Sequence, residues 1–166
     1  RKVGSQLNKE TFIANVLEAE STLYHVSKSI LIHEQDCEDA VQEAILKAYN
    51  KLGTLKKEQY FKTWLVRILI NECYSLKRKE YSQVPYEEYF ESAKANDKEN
   101  YNELYLAIQN LPERIRITIV LYYVEGYSIK EIKEILEIPA GTVKSRLAKG
   151  RNLLKIKLED MEVNYE

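Results

Sequence analysis

The chain has 166 residues, 45% of them apolar, and a formal charge of −1. That length holds one domain or two small ones, and the apolar fraction is ordinary for a protein with a buried core. Two cysteines, Cys37 and Cys73, exclude a disulfide framework and point to a reduced, cytosolic setting, and no apolar run approaches the ~18–20 residues that span a bilayer. The amino-terminal RKVGSQLNKE is basic but lacks an apolar stretch, so no signal peptide is expected there. Acidic residues gather in Glu34–Glu43 and Glu87–Glu103, basic ones in Lys62–Lys79 and Lys144–Lys157. Such segregation is more telling than the sum, and it predicts two separate phosphate-binding patches.

With 5 glycines and 3 prolines, and with apolar residues recurring at i, i+3, i+4, the chain reads as all-α. Asn8 is placed to cap a helix carrying Phe12, Ile13, Val16 and Leu17. A second helix carries Leu23, Tyr24, Val26, Ile30 and Leu31. Asp36 is expected to cap a third, with Glu38 and Asp39 in its positive first turn. This helix buries Ala40, Val41, Ala44, Ile45, Ala48 and Tyr49 and stops at Gly53. A loop, Thr54 to Gln59, leads into a fourth helix from Tyr60 to Lys79 with Phe61, Trp64, Leu65, Ile68, Leu69 and Leu76 on its apolar face. Residues 82–102 are acidic and polar and read as a flexible linker on which Tyr86, Tyr89 and Phe90 are the docking candidates. The division is thus residues 1–81, a linker, and residues 103–166. The second domain opens with a helix near Glu103–Asn110, breaks at Leu111-Pro112-Glu113, and continues from Arg114 to Val124, where Gly126 ends it.

The most informative stretch is Gly126 to Lys157: a helix, a tight turn and a second, basic helix, the pattern of a helix-turn-helix. Ser128 and Glu131 have capping-box spacing, and Ile132, Ile135 and Leu136 form a stripe. Pro139 suits the first residue of the second helix, in which Val143, Leu147 and Leu154 face the first. Between Ala140 and Leu158 there are Lys144, Arg146, Lys149, Arg151, Lys155 and Lys157 and no acidic residue. Ala140, Thr142, Lys144 and Ser145, near the helix start, are placed to reach base edges. Arg146, Lys149 and Arg151 are placed to touch phosphates, which set register.

Catalytic signatures are missing: there is no Gly-rich phosphate loop, no HExxH and no supported Ser–His–Asp set. An enzyme is not expected. His33 and Cys37 stand at i, i+4 with His25 nearby, but these few ligands lack a second pair. No metal and no cofactor are expected.

Two segments resemble the sigma-70 family, in its small extracytoplasmic-function group. Asp36 to Tyr49 (DCEDAVQEAILKAY), Phe61 to Asn71 (FKTWLVRILIN) and the basic Lys77-Arg78-Lys79 are similar to region 2; Leu111-Pro-Glu-Arg114 through Arg151 is similar to region 4. The resemblance implies a dissociable subunit of bacterial RNA polymerase that directs the core enzyme to promoters of a stress regulon. Asp39, Gln42 and Glu43 would grip the β′ clamp helices, and the second domain would meet the β flap. Lys56 to Lys79 would recognise and open the −10 element, and the second helix of the helix-turn-helix would read the −35 element as duplex. It further implies control by an anti-sigma factor, often membrane-anchored, and a cytoplasmic location that becomes membrane-proximal when so held. Abundant Lys, Ile, Glu, Tyr and Asn suggest a low-GC Gram-positive source.

Holding an unpaired strand calls for aromatic groups beside a basic track. Lys56, Lys57, Tyr60, Phe61, Lys62, Trp64, Arg67, Asn71, Lys77, Arg78 and Lys79 form such a mixture. Trp64 is expected to be mainly core, touching DNA by its edge. Three residues depart from the family pattern. Lys133 takes a place where a small residue is usual, Glu137 sits where the turn favours Gly, and Gly150 should weaken the recognition helix by ~1 kcal/mol relative to Ala. Two rival classes stay open: a one-component helix-turn-helix regulator, and a helical interaction module such as a sequestering protein.

Overall fold

The computed structural model describes residues 7–81 and 103–163, so the expected linker, with Tyr86, Tyr89 and Phe90, lies outside the described residues. All regular structure among the described residues is helical. The chain divides into two compact units, Arg1–Asn96 and Asp97–Glu166.

The first unit holds α1 (Lys9–Glu18), α2 (Glu20–Ile30), α3 (Glu34–Asn50) and α4 (Phe61–Tyr81). Asn8 caps α1 as expected, its side chain accepting from the Thr11 N–H at 2.8 Å. The start of α3 differs from the sequence reading. His33, not Asp36, is the N-cap, and Glu34 and Asp36 share the first turn. The reason is tertiary: Glu34 accepts from Lys28 Nζ at 3.3 Å and from the Tyr24 hydroxyl at 3.5 Å, so the helix begins where α2 holds it. At its other end α3 stops at Asn50, and Gly53 lies within a separate 3-10 turn, Leu52–Thr54.

Ala40, Ala44 and Ala48 of α3 are fully buried. Their small side chains let α4 approach closely, and an ion pair between Lys47 and Glu72 ties the two helices. Because α4 packs against both α2 and α3, its buried arc is wider than a single stripe. Val66, Ile70 and Cys73 join Phe61, Leu65 and Leu69 in the core. Trp64, Ile68 and Leu76, expected on the apolar face, are only half-buried. Tyr49 is exposed rather than buried, its ring edge-on to Phe12 at 5.3 Å.

The second unit holds α5 (Glu103–Gln109), α6 (Glu113–Ile119), α7 (Ile129–Leu136) and α8 (Ala140–Val163). Pro112 caps α6, its carbonyl accepting from the N–H groups of Ile115 and Arg116. Arg116 Nη1 in turn donates to the Gln109 carbonyl at 2.7 Å, satisfying an orphan acceptor at the end of α5. The run to Val124 is not one α-helix. Val120–Val124 forms a π turn, closed by the Glu125 N–H on the Val120 carbonyl at 3.0 Å. Gly126 follows at φ 74, a conformation that favours glycine.

Candidate nucleic-acid interface

The helix-turn-helix is built as its sequence predicts. Ser128 Oγ accepts from the Glu131 N–H at 3.2 Å, and the Glu131 carboxylate accepts from the Ser128 N–H at 2.8 Å. Ile132 and Ile135 of α7 are buried with Val143 and Leu147 of α8, which fixes the pair. Lys133 points outward and is exposed. Glu137 ends α7 at φ 55, ψ 45, the left-handed conformation that a side chain makes costly. Helix α8 starts at Ala140, one residue later than expected, because Pro139 is the cap whose carbonyl accepts from the Thr142 and Val143 N–H groups. Gly150 is buried, and a Cβ there would lie 2.6 Å from Ile119 Cδ1. The glycine therefore lets α8 lie close against α6, a packing reason that sequence reasoning missed.

Opposite this packed face, Lys144, Ser145, Lys149 and Arg151 are exposed, and Ala140, Thr142 and Arg146 are half-buried. Lys144, Ala148 and Arg151 stand at i, i+4, i+7 on one stripe. Ser145 turns its hydroxyl proton back to the Thr142 carbonyl at 3.0 Å, leaving its lone pairs outward as an acceptor. Arg151 Nη1 donates to the Tyr123 hydroxyl at 3.2 Å. A surface of one sign, held on a rigid helix, is suited to a phosphate-lined groove.

In the first unit, Lys56, Lys57, Tyr60, Lys62, Arg67, Asn71 and Arg78 are exposed, and Trp64 and Lys77 are half-buried. Phe61 corrects the sequence reading: only 4% exposed, it packs edge-on to Phe12 at 5.6 Å and beside Trp64 at 5.9 Å. A buried ring cannot stack on a base; its role is to seat the start of α4. The expected loop contains two 3-10 turns, Leu52–Thr54 and Glu58–Tyr60, and Thr54 binds the Lys51 carbonyl through both its N–H and its hydroxyl. Tyr60 stands half-open at the end of the second turn.

Asp39, Gln42 and Glu43 are exposed together on the outer side of α3. Gln35 Nε2 donates to Asp39 Oδ1 at 3.0 Å, and Glu43 lies 3.9 Å from Lys47. Beside them the sequence reading missed an apolar surface. Ile13, Leu17, Leu46 and Tyr49 are exposed, and a groove of 410 Å³ runs among Phe12, Ile13, Gln42, Ile45, Leu46 and Tyr49. A second groove of 490 Å³, between α2 and α3, is lined by Tyr24, His25, Cys37, Glu38 and Gln42, among others. Helical spacing gave no sign of this apolar surface: Phe12, Ile13, Val16 and Leu17 fall on one face of α1, and only Phe12 of them is buried.

His33 and Cys37 do not form a ligand set: among the described residues no group of three or more His, Cys, Asp or Glu converges for a metal ion. Burial raises the thiol pKa of both Cys37 and Cys73, which makes them unreactive packing groups. No described helix is long and apolar enough to cross a membrane.

These features define a two-unit helical DNA-binding protein with a carboxy-terminal helix-turn-helix. The family is then plain. Residues 16–82 match the model of sigma-70 region 2, and residues 101–154 that of sigma-70 region 4. The sigma-E factor of Haemophilus influenzae is 30% identical over 152 residues, with 78% of each chain covered. SigW of Bacillus subtilis is 31% identical over 157 residues, covering 84% of each. Both are named as extracytoplasmic-function RNA polymerase sigma factors. Among solved structures, the sigma factor RpoE of Bartonella quintana, in complex with the anti-sigma factor NepR, superimposes with a TM-score of 0.74 at 25% identity, covering 90% of this chain and 98% of that one. The chain belongs to the sigma-70 family of RNA polymerase sigma factors, in its extracytoplasmic-function group. The relatives come from Gram-negative and Gram-positive bacteria alike, so they lend no support to the low-GC Gram-positive source suggested by composition.

Proposed function

We propose that this chain binds bacterial core RNA polymerase, recognises the −10 and −35 elements of a promoter class and starts transcription there. Residues 1–81 form region 2, 82–102 the linker and 103–166 region 4. Asp39, Gln42 and Glu43 meet the β′ clamp helices, and region 4 meets the β flap. Lys56, Lys57, Tyr60, Lys62, Arg67, Asn71, Lys77 and Arg78, with the open edge of Trp64, track the −10 element and its unpaired strand. Ala140, Thr142, Lys144 and Ser145 read −35 bases, and Arg146, Lys149 and Arg151 hold the backbone. The observation that carries this reading is the basic stretch of α8 from Ala140 to Leu158, which holds no acidic residue, beside the capping-box helix α7, in a chain with regions 2 and 4 in order.

An anti-sigma factor is the proposed regulator, because the similar Bartonella protein is seen with one and because apolar residues stand open beside the polymerase-binding face. A membrane anchor on that regulator, and with it a cytoplasmic, membrane-proximal resting place for this chain, belong to the same proposal. The test is run-off transcription with purified bacterial core polymerase on sheared genomic DNA. Discrete transcripts only when the chain is added establish the activity. No initiation, with duplex DNA still bound by the chain alone, replaces this reading with that of a one-component regulator.

A further inference from the structure

We propose that Tyr123 is a positioning residue that holds the Arg151 guanidinium against a DNA phosphate beside the bases read by the start of α8. The inference rests on the duplex-reading role proposed for α8.

Arg151 lies seven residues beyond Lys144 on the same stripe, ~10 Å further along the axis at the rise of an α-helix. Helix-turn-helix readers use the first turns of the recognition helix for bases. A cation two turns later falls on the flanking backbone, where it sets register. Between Ala140 and Leu158 there is no carboxylate on α8 to compete for it. The partner Arg151 does have is neutral: its Nη1 donates to the Tyr123 hydroxyl at 3.2 Å. That contact uses one of five guanidinium donors and leaves the full charge and the fork available to a phosphate. A side chain already held in one geometry loses less freedom when it binds.

The π turn is what brings the phenol there. Closing Val120–Val124 with an i→i+5 bond accommodates one more residue in the turn than α-helical bonding would. Tyr123 lies within this wider turn and is 52% exposed, and its ring stands edge-on to Tyr122 at 4.9 Å and 80°. A rare backbone turn thus holds an exposed aromatic whose hydroxyl meets the recognition helix.

The experiment uses the full chain with bacterial core polymerase, measuring initiation at its own promoters over a series of salt concentrations. The proteins are wild type, Tyr123→Phe, Arg151→Gln and the double variant. Arg151→Gln should weaken initiation and reduce the log–log salt slope by ~1, the signature of one lost phosphate contact. Tyr123→Phe keeps the ring and removes the hydroxyl. It should lower initiation roughly 2- to 10-fold, the worth of one hydrogen bond, and should change nothing further once Arg151 is Gln. Equal losses from Tyr123→Phe in both backgrounds overturn the proposal, as does a wild-type level of initiation in Tyr123→Phe or an unchanged salt slope in Arg151→Gln. Failure of the underlying reading looks different: wild type does not initiate, or Arg146→Glu with Lys149→Glu initiates normally.

Discussion

Replacing Gly150 with Ala tests whether tight packing or helix propensity governs the recognition helix. An alanine inside a helix gains ~1 kcal/mol over glycine. The packing around Gly150 opposes that gain, and by more. The new Cβ would stand 2.6 Å from both Cδ1 and Cγ1 of Ile119 and 3.0 Å from Cγ2 of Ile115. Ile119 is 1% exposed and β-branched, so it has few rotamers and no free space to take up. Inserting a methyl group into such a core costs ~1–3 kcal/mol. The balance is a loss of about 1 kcal/mol, close to a 5-fold rise in local opening. Gly141, in the first turn of the same helix, is the control: a Cβ there meets nothing within 4 Å. Gly141→Ala should stabilise α8 by up to ~1 kcal/mol. Hydrogen–deuterium exchange in α6 and α8 reads both effects locally, which avoids assuming that a chain of two units unfolds in one step. Increased protection in both variants would refute the packing argument.

Glu137→Gly should raise the stability of the helix-turn-helix by about 1 kcal/mol, since it removes the cost of a left-handed residue at φ 55; urea unfolding that shows a loss instead would mean that the Glu137 side chain contributes more than its backbone costs. Tyr127 is 7% exposed, and its hydroxyl has no hydrogen-bond partner among the described residues. Burial, chiefly, raises its pKa above 10.0. Above that pH the unfolded chain releases a proton that the folded one retains, so stability falls as pH rises past 10, by up to ~1.4 kcal/mol per pH unit from this group. Tyr127→Phe should flatten that alkaline limb in thermal melts at pH 9 to 11 without loss at neutral pH. Arg146→Glu with Lys149→Glu should abolish promoter-directed initiation while leaving polymerase binding in pull-downs intact. Asp39→Lys with Glu43→Lys should weaken polymerase binding in the same pull-downs at least 10-fold, and initiation with it, while the thermal melting profile is kept.

Local signals were the legible ones. The Asn8 cap, the Ser128–Glu131 box and the Gly126 break depend on a few neighbouring residues, and each appears where its residue type requires; the left-handed Glu137 was legible only through the family pattern, whose turn favours Gly. The start of α3 was misplaced because Glu34 answers to Lys28 and Tyr24 of another helix, which no local preference encodes. The buried arc of α4 was drawn too narrow for a similar reason. A stripe at helical spacing describes one packing partner, whereas α4 has two. Phe61 shows the consequence for site assignment: an aromatic beside lysines satisfies the composition of a strand-binding track, yet its burial against Phe12 decides against contact.

Gly150 and the π turn mark a deeper limit, and they are linked. Both lie where α6 and its continuation run against α8, the largest helix–helix contact of the second unit. Helix propensity treats Gly150 as a defect, and the absence of Gly or Pro between Arg114 and Val124 makes that stretch look like one helix. In the fold, the missing Cβ admits Ile115 and Ile119, so the recognition helix lies hard against α6. Next to that contact, the wider turn carries Tyr123 out to Arg151. A residue unfavourable by propensity and a turn unfavourable by geometry thus occur together, at the place where the reading helix meets its support. Tertiary contact offsets the cost of each, and that is why propensity and periodicity, which are blind to neighbours distant in sequence, could not forecast either. If the pair is coupled, Gly150→Ala should also perturb the Tyr123–Arg151 contact: with that variant as background, Tyr123→Phe should have a smaller effect on initiation than in wild type. Independent effects would show that α8 is positioned at Gly150 and at Arg151 separately.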